Sequence, residues 1–77
     1  MENYKKAYEN GKRLLENIAK ESGYKYYSIV EDNYEYPHGL TLIAYEDEAS
    51  MKGTAKTINE LDHISINLDG MEKLVWN

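Results

Sequence analysis

The chain has 77 residues, a net charge of −5, eight Tyr, one Trp, no Phe and no Cys. That length makes one domain, residues 1–77, whose thin core buries only about 60% of the unfolded surface. The composition excludes disulfides and thiolate metal sites, fits a cytoplasmic setting, and leaves self-association as the extra support that small chains often need.

In chain order, the first element is an amphipathic helix over residues 3–22. Tyr4, Ala7, Tyr8, Gly11, Leu14, Leu15, Ile18, Ala19 and Ser22 recur at steps of three and four and form one apolar stripe. Asn3 reads as its N-cap and Gly23 as its C′ residue. Gly11, in the middle of the stripe, suits a close approach of helix to sheet. The opposite face holds Lys5, Lys6, Glu9, Lys12, Arg13, Glu16 and Lys20, and a solvated face is the plain reading of such mixed charge.

Tyr24–Asp47 then reads as a hairpin of two strands, 24–32 and 39–47, both apolar on both faces. It holds six of the eight tyrosines, the only proline and one of the two histidines. Lys52-Gly53 reads as the tip of a further hairpin, with Thr54–Ile58 as a third strand; a capping box at Thr57–Glu60, opening a short helical turn, is the competing reading. DHISINL, residues 62–68, alternates cleanly, with Ile64, Ile66 and Leu68 inward. Asp69-Gly70 signals one more hairpin turn. A three-residue loop with Gly70 left-handed would pair Ile64 with Leu74 and bring Trp76 to the apolar face.

The expected fold is therefore α+β, one N-terminal helix packed on a four- or five-stranded antiparallel meander. A small Sm-like or SH3-like barrel with an N-terminal helix is the alternative. GLTLIAYED follows the Sm glycine–aliphatic–aromatic–Asp pattern only loosely, with its glycine out of step, and identifies no family.

Charge is spread unevenly. Residues 1–25 hold six Lys/Arg against four Glu, and residues 26–77 hold three Lys against ten Asp/Glu. No direct nucleic-acid binding is expected without a basic footprint. The first ten residues, MENYKKAYEN, lack the apolar core of a signal peptide, and no apolar run approaches the ~20 residues of a membrane span. No phosphate loop, HExxH, EF-hand or nucleophile elbow is present, so neither enzyme activity nor a cofactor is expected. His38 and His63, with Glu35 or Asp62, would form a metal site only if the strand ends met, and no spacing imposes that.

The sharpest signal is tyrosine, which contributes large contact area with few rotatable bonds. The expected contact residues are Tyr34, Glu35, Tyr36 and His38 in the hairpin turn, with Tyr26 and Tyr45 on its strands. Together they suggest a non-enzymatic module that binds a larger protein, an inhibitor of the kind carried by phages or mobile elements. Two alternatives are a nucleotide-like small-ligand binder working as a homo-oligomer and an acidic mimic of nucleic acid.

Overall fold

The computed structural model describes residues 4–32 and 37–75. Its elements are α1 (Tyr4–Ser22), β1 (Tyr26–Asp32), β2 (Gly39–Tyr45), α2 (Glu48–Lys52) and β3 (Glu60–Asn67), followed by a 3-10 turn at Met71–Lys73.

The apolar stripe of α1 is the face turned inward. Ala7, Gly11, Leu15 and Ala19 are buried, while Tyr4, Tyr8, Leu14 and Ile18 flank them half-buried. Asn10 also lies on this face, and its amide Nδ2 donates to the carbonyls of Met71 (2.7 Å) and Leu74 (3.3 Å). A Cβ on Gly11 would collide with Cδ2 of Leu68 and stand 3.3 Å from Cδ1 of both Ile66 and Leu40. The glycine thus sets how closely helix and sheet meet.

α1 stops in a Schellman motif. Gly23 is left-handed (φ 77°), its N–H donates to Lys20 O (3.1 Å), and the Tyr24 N–H donates to Ala19 O (3.0 Å). Tyr24, just beyond, packs on the core. The proposed N-cap Asn3 lies outside the described residues.

The sheet is an antiparallel meander in the order β1-β2-β3, with β2 central. Leu40, Leu42 and Ala44 point under α1 and are fully buried. Flanking them are Tyr27 and Ile29 from β1 and Ile64 and Ile66 from β3, all packed on the core that Leu15 and Leu68 complete. This settles the inward face of β1, which alternation alone leaves open. On the other face the Thr41 and Ser65 hydroxyls meet at 2.7 Å.

Among the described residues, three strands replace the expected four or five, and they form an open sheet rather than a closed barrel. Two elements account for the difference. Residues 48–52 are helical, because Asp47 is an N-cap whose carboxylate accepts the Ser50 N–H (2.7 Å). Glu48 and Lys52 form an i,i+4 ion pair (2.7 Å). Gly53, at φ 76°, ends the turn in a second Schellman motif, with Gly53 N–H on Ser50 O and Thr54 N–H on Ala49 O. Lys52-Gly53 is thus a helix stop and not a hairpin tip. Neither the Thr54–Ile58 strand nor the capping-box turn forms, and β3 begins at Glu60.

At the second place, Gly70 is left-handed (φ 90°) as expected, but Met71–Lys73 follow as a 3-10 turn instead of a strand. Leu74 does not pair with Ile64 and stays exposed. The turn docks on α1, where Asn10 holds its carbonyls. Trp76 lies outside the described residues. Among the described residues, no helix is long and apolar enough to cross a membrane.

Candidate functional site

At the end of the sheet where β2 finishes and β3 begins, the β2–β3 ladder is irregular. Ala44 lies opposite Asp62 and Tyr45 opposite Glu60, so Leu61 is an extra residue on β3. Beyond it the pairing resumes, with the Glu46 N–H donating to Asn59 O (2.9 Å). Bulges of this kind re-aim side chains and recur beside functional sites. This one leaves Leu61 58% exposed.

Leu61 lines a surface cleft of about 190 Å³ together with Tyr24, Lys25, Tyr26, Tyr45 and Glu46. Each tyrosine is placed by a different device. Tyr24 follows the α1 stop, and its hydroxyl donates to Asp62 Oδ2 (2.7 Å), while the His63 N–H donates to Asp62 Oδ1 (2.8 Å). Tyr26 and Tyr45 are direct cross-strand neighbours on β1 and β2. The Tyr45 hydroxyl leans along the sheet to within 3.4 Å of Ser28 Oγ.

The Tyr24–Asp62 contact moves both titrations. The hydrogen bond to Asp62 raises the Tyr24 phenol above its ordinary value, with desolvation and the negative carboxylate adding to it. The same bond, followed by the His63 N–H, lowers the Asp62 carboxyl below the usual range.

Of the six expected contact residues, the structure brings Tyr26 and Tyr45 together and places His38 at the other end of the hairpin. Six residue steps separate those ends, about 20 Å. Tyr34, Glu35 and Tyr36 lie outside the described residues. His38 acts there as a clasp: its Nδ1 is 3.0 Å from Asp69 Oδ1, and its ring meets Tyr4 edge-on at 5.8 Å. Its carbonyl accepts the Leu68 N–H (2.8 Å). These contacts tie the hairpin turn to the turn after β3 and to the start of α1.

His38 and His63 do not converge. His63 lies opposite Ile43 in mid-strand, whereas His38 precedes Gly39, which lies opposite Asn67. Among the described residues, no group of three or more His, Cys, Asp or Glu is arranged to hold a metal ion.

Sequence reasoning missed Leu61, Lys25 and Tyr24 as cleft residues. Carrying the DHISINL alternation backward puts Leu61 in the outward set with His63 and Ser65, and a leucine in that register was the available signal. Comparison of the chain with protein-family models, curated proteins and solved structures finds no match.

Proposed function

We propose that the protein is a non-enzymatic interaction module that takes a cationic segment of a larger protein, anchored by one apolar side chain, into the tyrosine cleft. The observation that carries this is Leu61, held outward by the bulge among Tyr24, Tyr26 and Tyr45. An apolar floor between amphipathic rings suits an inserted aliphatic or aromatic side chain. Around it, Glu46 lines the cleft, and Asp47, Glu60 and Asp62 lie at the same end of the sheet, with Lys25 as the cation of the cleft and Glu48 already paired with Lys52. Such a rim steers a basic segment and disfavours an acidic one.

The cleft volume of about 190 Å³ falls below the ~300–1,000 Å³ of typical small-molecule sites, which favours a side chain over a nucleotide. Nucleic-acid mimicry would call for a row of carboxylates along a strand, and here they cluster at the two ends of the hairpin, Glu31-Asp32 at one and Glu46-Asp47-Glu48 at the other.

Selection from a displayed random-peptide library tests the reading. Enrichment of peptides with Lys or Arg beside an aromatic or aliphatic residue is expected, with binding weakened by salt and lost in Leu61→Asp. Exposure of Leu61 makes that substitution compatible with folding. Enrichment of acidic peptides, or equal selection by wild type and Leu61→Asp, would overturn it.

A further inference from the structure

We propose that β1 pairs antiparallel with β1 of a second copy of this chain, joining two three-stranded sheets into one of six strands. The inference concerns the outer edge of β1 and stands independently of the cleft reading.

The edge itself is the first observation. β1 pairs with β2 over seven consecutive residues without a shift, so its other side is flat and regular. Among the described residues, no turn or loop backbone hydrogen bond reaches its backbone. From Tyr26 to Val30 it carries no charge, no proline and no bulge, none of the features that normally keep an edge strand from pairing.

The second observation is burial. β2 has five buried residues of seven. By contrast Tyr26, Tyr27, Ser28 and Ile29 of β1 are only half-buried and Val30 is exposed. The contacts of Gly11 with Leu40, Ile66 and Leu68 place α1 toward the β2–β3 side. The apolar residues of β1 are therefore less covered than those of β2, with α1 set toward the far flank and α2 touching β1 and β2 alike.

Self-complementarity is the third. Two copies related by a two-fold axis normal to the sheet keep both helices on the same side, so opposed residues must belong to the same face. With Ser28 at the axis, Tyr27 lies opposite the second copy's Ile29 and Tyr26 opposite its Val30, each an aromatic–β-branched pair. The same register sets Lys25 opposite the second copy's Glu31, twice over. Lys25 and Glu31 are both exposed, and opposite charges at the two ends of the paired segment fix the register against slippage.

Sedimentation equilibrium of the full chain, without added peptide, gives the mass directly. A dimer at high micromolar concentration is expected, weakened at least tenfold by Lys25→Glu or by Glu31→Lys and restored when both substitutions are combined. Because the chain has no cysteine, Ser28→Cys reports the register: two such residues face each other across the axis within disulfide reach, and mild oxidation should link the dimer quickly. Val30→Cys, four residues off its own copy, should not cross-link. A monomer at every concentration, a dimer indifferent to the charge swap, or equal cross-linking by both cysteine variants would overturn the proposal. Peptide selection by a monomeric protein would leave the cleft reading standing, so the two fail separately.

Discussion

β1 and β3 flank the same central strand and are nearly equal in length, yet they treat their outer edges differently. β3 begins with Glu60, Leu61, Asp62 and His63, places its one irregularity there, and turns away at Asp69-Gly70 into a docked 3-10 turn. β1 runs straight and uncharged from Tyr26 to Val30, with charge only at Lys25 and from Glu31 onward. A bulge and acidic side chains blunt an edge, while a flat apolar strand invites another. The bulge at one edge also sets Leu61 on the cleft, so edge protection and the proposed recognition would share that residue.

The largest expected effect comes from breaking what both edges depend on. Leu42 is fully buried on β2, between Ile29 of β1 and Ile64 of β3. Leu42→Ala should cost roughly 2–5 kcal/mol, comparable with the ~5 kcal/mol expected for a domain near the lower end of the usual range. Urea unfolding followed by far-ultraviolet circular dichroism and by tyrosine fluorescence should show one coincident, strongly shifted transition. Two separate transitions would mean that the edges do not share one core.

A second change makes the edges alike. Deleting Leu61 brings Glu60 and Asp62 into regular alternation opposite Tyr45 and Ala44, which straightens β3. Light scattering should then show assemblies larger than those of the wild type, increasing with concentration. An unchanged mass would show that the bulge is not what keeps β3 from pairing.

The smallest effect concerns the strap between the edges, the hydrogen bond from Tyr24, just before β1, to Asp62 on β3. Asp62 has a lowered carboxyl pKa when folded, so its contribution is present above the ordinary carboxylate value and is lost as pH falls through the lowered one. Tyr24 has a raised phenol pKa, so its contribution is present below the ordinary phenol value and is lost as pH rises through the raised one. Tyr24→Phe should therefore lower the melting temperature modestly across neutral pH, with the gap closing at both the acid and the alkaline end. A gap independent of pH would show that the loss does not come from the Tyr24–Asp62 bond, and no gap at all would show that the strap contributes nothing.

Much of this architecture was legible in the residues. The stripe from Tyr4 to Ala19, Gly23 as a stop and the alternation of Ile64 and Ile66 are local patterns whose meaning does not depend on distant residues. α2 was missed because Lys52-Gly53 serves equally as a hairpin tip or a helix stop. What decides is Asp47, whose carboxylate caps the helix and which reads from sequence as the middle of the acidic run Glu46-Asp47-Glu48. Asp69-Gly70 supplied its left-handed residue, yet a turn does not say whether a strand or a 3-10 turn follows. Met71, Glu72 and Lys73 are helix formers, and the carbonyls of Met71 and Leu74 accept from Asn10, a polar residue within an apolar stripe. In the cleft, Tyr26 and Tyr45 could be paired from the hairpin register. The outward set of Leu61 could be read from the alternation, but its unpaired place opposite Ala44 and Tyr45 could not, because a bulge belongs to two strands together and is written in neither alone.

Asn10 also bears on the order in which the parts assemble. Its bond to Met71 spans 61 positions, whereas the β1–β2 connection is six residues, 33–38. By loop-closure entropy, bringing the 3-10 turn to α1 costs about 2 kcal/mol more than closing that hairpin. The hairpin should thus form early and the helix should be secured last, once residues 68–74 arrive to lock it. Stopped-flow measurements on Asn10→Ala should find unfolding accelerated and refolding almost unchanged; a slowed refolding limb would place the lock in the nucleus instead. The final turn of the fold would then govern how long the native state lasts, and hardly at all how quickly it is reached.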